Sequence, residues 1–122
     1  MRAAVDIVEE FFASRRTADS TRLLAPEVEF LPLTREPAFG PDGLERSLAD
    51  IADQFRDYDV WPGELVAHGP ETVIALLNRR GVTHRGDVPI EDRFAQVFTV
   101  EDGRITRIQS FKTLDDARSA LG

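Results

Sequence analysis

Residues 93–112 read RFAQVFTVEDGRITRIQSFK, two alternating segments joined at Asp102-Gly103. Asp-Gly between alternating apolar segments indicates a β-hairpin with a two-residue loop. With a two-residue loop, side chains of similar type face each other across the two strands. A register shifted by one residue would pair dissimilar side chains. Beyond Glu101/Arg104 the predicted pairs are Val100/Ile105, Thr99/Thr106, Phe98/Arg107, Val97/Ile108, Gln96/Gln109, Ala95/Ser110, Phe94/Phe111 and Arg93/Lys112. The two faces of this hairpin therefore differ in composition.

The composition of the chain fits one globular domain. It has 122 residues, of which 42% are hydrophobic, enough for a single core. A net charge of -7 argues against a nucleic-acid partner, whose phosphates would be repelled. The absence of cysteine excludes disulfides and thiolate metal sites. No apolar stretch has the length of a signal peptide or a membrane span, so we expect a cytoplasmic protein with no membrane partner.

The rest of the chain predicts helices first and strands afterwards. Helices are expected over residues 2–16 and 18–25 and from Pro41, where Asp42 and Glu45 form a capping-box pattern. Predicted strands cover residues 28–32, 59–67, 72–82, 88–100 and 105–113, and Thr113 caps a last short helix. Helices segregated from a meander of strands define an α+β fold. We expect a cone-shaped, strongly curved, mainly antiparallel sheet with the three helices of the N-terminal half over its concave face.

Four fragments of the sequence stand in a fairly specific order and spacing, namely residues 7–12 (IVEEFF), 26–30 (PEVEF), 39–44 (FGPDGL) and 98–105 (FTVEDGRI), followed by Phe111. Together they resemble the nuclear transport factor 2-like superfamily, most closely its SnoaL-like and ketosteroid-isomerase-like branch. The resemblance spans nearly the whole chain, so it implies a single SnoaL-like domain over residues 1–122. It also implies a cavity between the helices and the sheet, where small ligands bind.

The resemblance implies the fold of this superfamily but none of its known catalytic mechanisms. In ketosteroid isomerases a helix-1 tyrosine, a carboxylate base and a protonated acid do the chemistry. Those positions fall on Phe11, near Phe30 or Leu31, and on Ala95 in this chain, and none of these side chains can move a proton. The arginine and two aspartates of limonene epoxide hydrolases fall near Asn78, Arg80 and Ser110. No catalytic residue is therefore assigned.

The same resemblance predicts which side chains line the cavity. The expected ligand-binding residues are Phe30, Trp61, Asn78, Arg80, Arg93, Ser110 and Lys112. Because like charges directly opposite destabilise a sheet, Arg93 and Lys112 facing each other would need an anion, from a nearby carboxylate or from a ligand. The alternative is that both cations stand in water at the mouth of the cone.

The opposite face of the hairpin would expose aromatic rings in a monomer. We expect this face to form a homodimer through the sheet, as related families do. The predicted interface consists of Phe94, Gln96, Phe98, Gln109 and Phe111.

The predicted function is the binding of a small organic ligand with a negative group. If the protein is an enzyme, the expected reaction is an isomerisation, a hydration or a ring closure without a cofactor. The alternative is a non-catalytic binding or accessory module that lacks the family's acid-base residues. His68 and His84 lie in predicted turns without a matched partner, which disfavours both a catalytic role and a metal site.

Overall fold

A six-stranded sheet with helices on both faces forms the protein, as a computed structural model describes it for residues 2–15 and 20–122. The helices are α1 (Ala4–Ser14), α2 (Gly40–Ala52) and α3 (Leu114–Leu121), with a 3₁₀ turn at Ser20–Leu23. The strands are β1 (Leu24–Leu31), β2 (Ala38–Phe39), β3 (Phe55–Ala67), β4 (Thr72–Thr83), β5 (Pro89–Glu101) and β6 (Arg104–Phe111). Their order in the sheet is β2-β1-β6-β5-β4-β3. Only the β1–β6 pairing is parallel, so the predicted α+β class with a curved, mainly antiparallel sheet is confirmed.

The two faces of the sheet pack against different helices. The inner face packs against α1 and α2, and Ile7, Val8 and Phe11 of α1 are buried there at helical spacing. The outer face packs against α3, where Ala117 lies in a second cluster with Ile74 and Val97. Thr113 accepts a hydrogen bond from the Asp116 amide at 3.0 Å, so its predicted role as the cap of this helix is confirmed.

The hairpin turn has the predicted length. Asp102 and Gly103 have φ angles of 53° and 77°, the left-handed values that a two-residue type I′ turn requires. Glu101 faces Arg104 and Val100 faces Ile105, as expected.

Beyond these two pairs, the predicted register of the hairpin is wrong by one residue. A β-bulge at Thr106 places Thr99 opposite Arg107 and Phe98 opposite Ile108. The bulge brings Ile105 and Ile108, which are three residues apart, to the same buried inner face, whereas a regular strand would put them on opposite faces. Burial of both isoleucines overrides the pairing of like residues.

The shifted register corrects the predicted dimer interface. Phe98 is fully buried, with ring centroids 5.9 Å from Phe11 and 5.5 Å from Phe12 of α1. Phe94 and Gln96 share this inner face and line the cavity. Of the five predicted interface residues, only Gln109 and Phe111 belong to the outer face, and Phe111 packs in the cluster under α3.

Two helix predictions also change. The second helix was expected over residues 18–25, but residues 18 and 19 lie outside the described residues, and Leu24 already begins β1. Helix α2 begins at Gly40 with Pro41 in its first turn and no side-chain cap. Glu45 pairs with Arg15 at 2.6 Å, so the predicted capping box with Asp42 does not form.

Candidate functional site

A cavity of about 780 Å³ lies between the inner face of the sheet and the helices α1 and α2. Its apolar walls come from both layers and include Phe11, Phe30, Leu44, Leu48, Leu77 and Phe94. This volume is in the range of small-molecule sites, which are mostly apolar with a few placed polar groups.

Arg79 is the most firmly held polar side chain of the cavity wall. It lies directly opposite Asp92 on β4 and β5, and its Nε and Nη2 atoms donate to the two Asp92 carboxylate oxygens at 2.9 and 2.7 Å. The guanidinium also lies over the Phe94 ring, 5.6 Å from the centroid. The hydrogen bonds to Asp92 raise the pKa of Arg79, so it stays a cation. The paired carboxylate balances its charge at this point of the wall.

Tyr58 reaches the same wall because β3 is irregular near its start. Asp57 has a φ of 54°, and the pairing with β4 shifts between Arg56 and Asp59. The Tyr58 ring stacks on Phe55 with centroids 5.0 Å apart and planes 15° apart. Burial raises the pKa of the Tyr58 hydroxyl, against an opposing effect of the neighbouring Arg79.

Gly81 makes room for this aromatic pair. A Cβ atom there would lie 3.2 Å from both the Phe55 Cβ and the Tyr58 Cδ1 atoms. Because a glycine stands at this position of β4, Tyr58 can lie against the strand beside Arg79.

A second polar group lies across β5 and β6. Gln96 is buried and donates from its Nε2 to the Ser110 Oγ at 3.2 Å, between residues that face each other directly. Lys112 follows on the same face of β6 and lines the cavity from an exposed position.

The cavity is lined by more positive than negative side chains. Among the described residues, these are the cations Arg15, Arg35, Arg79, Arg93 and Lys112 and the carboxylates Asp59 and Asp92. Because the whole chain carries a net charge of -7, this local excess of cations runs against the charge of the molecule. Such a field favours an anionic group in the cavity.

Five of the seven sequence-predicted site residues line the cavity: Phe30, Trp61, Arg93, Ser110 and Lys112. Asn78 and Arg80 do not, because the odd-numbered Leu77 and Arg79 of β4 face inward. Asn78 instead accepts a hydrogen bond from the Arg93 Nε at 3.0 Å, and Arg80 lies 5.6 Å from the Trp61 ring centroid. The prediction that Asn78 and Arg80 point into the cavity is wrong.

The predicted pairing of Arg93 with Lys112 does not occur. The bulge shifts the β5–β6 register by one residue, so Lys112 no longer faces Arg93 and continues the inward face of Ile108 and Ser110. On its other side Arg93 faces Asn78 of β4. An anion is therefore not needed to hold these two cations together.

Sequence reasoning missed Tyr58, Arg79, Asp92 and Gln96. One signal was available: Arg79 and Arg80 are adjacent on a strand, so one of them must face inward. The sequence does not show which of the two faces inward. Both faces of β4 are covered, so its residues 73–77 are all apolar and do not alternate with polar ones.

Two further properties of the described residues are negative. The longest helix in residues 2–15 and 20–122 has 13 residues, too few to cross a membrane. Within the same ranges, no three side chains of His, Asp or Glu stand close enough to hold a metal ion.

Comparison with known proteins agrees with this geometry. The sequence model of the SnoaL-like domain family matches residues 5–108, so the chain belongs to this family. No curated protein matches the chain.

Solved structures share the fold at low identity. An NTF2-like protein from Burkholderia thailandensis E264 is 21% identical, with a TM-score of 0.82, over 100% of this chain and 99% of that one. A protein with a ketosteroid-isomerase-like fold from Catenulispora acidiphila DSM 44928, in complex with trimethylamine, is 15% identical, with a TM-score of 0.75, over 89% and 86%. TerC co-crystallised with polyporic acid is 18% identical, with a TM-score of 0.74, over 95% of both chains.

Proposed function

We propose that the protein binds a small organic ligand in this cavity. The apolar body of the ligand packs against the phenylalanine and leucine walls, and an oxygen-bearing group, preferably anionic, lies among the cations. The observation that carries the proposal is the excess of cationic side chains around a mostly apolar cavity of about 780 Å³ in a chain of net charge -7. Two relatives of the same fold were crystallised with polyporic acid and with trimethylamine, which supports a small-molecule role.

An enzymatic version of this proposal is a cofactor-independent isomerisation, hydration or ring closure. Donors fixed in the wall, such as Arg79 and Tyr58, would stabilise negative charge that develops on a substrate oxygen. Asp92 is a poor candidate for the general base, because Arg79 engages both of its oxygens. The residues that line the cavity thus favour electrostatic stabilisation over proton abstraction.

The second candidate is a binding or accessory module without catalysis. The observation that favours it is the identity of two positions where ketosteroid isomerases keep proton-transfer groups: Phe11 and Phe30 are apolar and buried here. Turnover of any bound compound would exclude this candidate, whereas binding without turnover across carbonyl, epoxide and enol compounds would favour it.

The binding proposal is tested with 2-naphthoate and its cationic counterpart 2-naphthylmethylammonium, using calorimetry and amide NMR shifts. Ser110→Phe places a ring in the cavity, and Gln109→Phe places the same ring one residue away on the outer face. We expect the wild type and Gln109→Phe to bind 2-naphthoate more tightly than the cation, and Ser110→Phe to bind neither. Equal binding by both variants, or preference for the cation, would contradict the proposal.

A homodimer through the sheet stays a prediction, now through the outer face, to which Gln109 and Phe111 of the predicted interface belong. Light scattering measures the mass of the assembly directly. A mass of one chain at micromolar concentration would contradict it.

A further inference from the structure

The hydroxyl of Tyr58 has a neighbour that carries only donors. Burial raises the pKa of Tyr58, and the positive charge of Arg79 is close enough to lower it in part, while the Nε and Nη2 atoms of Arg79 donate to Asp92. A guanidinium carries only donors, so Arg79 cannot accept the phenolic proton of Tyr58. That proton is left for another acceptor. Within residues 2–15 and 20–122, the structure contains no hydrogen bond donated by Tyr58.

The ring of Tyr58 is fixed in the cavity wall. Tyr58 is held by its stacking on Phe55 and by the close approach to Gly81, and it lines the same wall as Arg79, Asp92 and Phe94. The ring is therefore placed before a ligand arrives, which reduces the entropy lost on binding. Burial raises the pKa of Tyr58, so the phenol keeps its proton in neutral solution and acts as a donor.

We infer that Tyr58 donates a hydrogen bond to an acceptor oxygen of the ligand. This inference rests on the proposed function and narrows its ligand class to compounds with a carbonyl, carboxylate or phenolate oxygen at the end of an apolar body. A ligand whose only polar group is an ammonium offers no acceptor to the Tyr58 hydroxyl. Tyr58 thereby selects for acceptor oxygens, and the neighbouring cations select for negative charge.

The test compares two probes of the same shape that differ only in the acceptor. These are 2-acetylnaphthalene, which has a C=O group, and 2-isopropenylnaphthalene, which has C=CH₂ in its place. Affinities of the wild type and of Tyr58→Phe are measured for each by NMR titration. Tyr58→Phe keeps the ring that stacks on Phe55 and removes only the hydroxyl. Thermal unfolding of the variant confirms that it folds.

We expect Tyr58→Phe to bind 2-acetylnaphthalene about tenfold more weakly, the effect of one lost hydrogen bond, and 2-isopropenylnaphthalene with less than about a twofold change. The same loss for both probes, or no loss for the ketone, would overturn this inference and leave the proposed function standing. If the wild type bound neither probe nor 2-naphthoate, the proposed function and this inference would fall together.

Discussion

Arg79 and Asp92 face each other on β4 and β5 and form two parallel hydrogen bonds of 2.9 and 2.7 Å. The arginine that faces the cavity therefore has its own counterion, supplied by the neighbouring strand. Besides this ion pair, the guanidinium of Arg79 packs on the Phe94 ring and interacts electrostatically with Tyr58. The long-range attraction for an anion then falls to the other cations of the lining, Lys112 among them.

Charge changes in this pair should move the pKa of Tyr58 in opposite directions. The negative charge of Asp92 raises that pKa and Arg79 lowers it. Asp92→Asn should therefore lower the pKa of Tyr58, and Arg79→Gln should raise it. Tyr58 is the only tyrosine in the chain, so the ultraviolet absorbance of phenolate reports on it alone. Shifts of the same sign in both variants would contradict the assigned geometry.

Alkaline unfolding offers a second check on the burial of Tyr58. Its folded pKa lies above the ordinary value of 10.0, so the unfolded chain loses the phenolic proton first. The stability that this group contributes is intact below pH 10.0 and falls as pH rises through the folded pKa. Tyr58→Phe should unfold with a weaker dependence on pH in that range, measured by urea denaturation. An unchanged alkaline slope would mean that Tyr58 is solvated.

Lys112 and Arg93 should differ in their effect on anions. Lys112 follows Ser110 on the inward face, whereas Arg93 donates to Asn78 at the rim. Lys112→Ala should weaken 2-naphthoate binding about twofold to fivefold, more in dilute salt, because a surface charge is worth about 1 kcal/mol at most. Arg93→Ala should weaken it less, and neutral 2-acetylnaphthalene should bind both variants as it binds the wild type. A larger loss in Arg93→Ala, measured by calorimetry, would contradict this placement.

The bulge at Thr106 adds one residue to β6 and should be dispensable for the fold. Deletion of Thr106 leaves Ile105 and Ile108 two residues apart, so both stay on the inner face, and it should lower the free energy of unfolding by no more than about 1 kcal/mol. Thr106→Ala keeps the bulge and removes only the 3.3 Å hydrogen bond to the Thr99 carbonyl, with an expected loss of about 1 kcal/mol. Denaturant titration compares the two. A loss of about 3 kcal/mol or more in the deletion variant would contradict this and show that the bulge itself is required.

The fold could be predicted from the sequence because its signals are local. The apolar spacing of α1, the Asp102-Gly103 turn and the Thr113 cap each follow from residues that are close in the chain. The register of β6 could not be predicted from the turn alone. It depends on whether Ile105 and Ile108 are both buried, and that depends on α1, which is distant in sequence.

The site was predicted in part for the same reason. Ser110 and Lys112 were assigned correctly to the cavity face because the bulge precedes them and restores the even-numbered parity of β6. On β4 and β5 the prediction assigned the wrong set of alternate residues to the inner face. Asn78 and Arg80 were therefore predicted to line the cavity, where the structure has Leu77 and Arg79. Helix α3 covers Ile74 and Val97 on the outer face, which removes the polar alternation that would have marked the solvent side.

The central claim is that the cavity holds a ligand whose oxygen accepts a hydrogen bond from Tyr58. A crystal structure of the protein grown with saturating 2-naphthoate tests it most directly. We predict a naphthyl ring between the α2 leucines and Phe94, with a carboxylate oxygen within hydrogen-bonding distance of the Tyr58 hydroxyl. A cavity that contains only water, or a ring whose carboxylate points away from Tyr58, would contradict the claim.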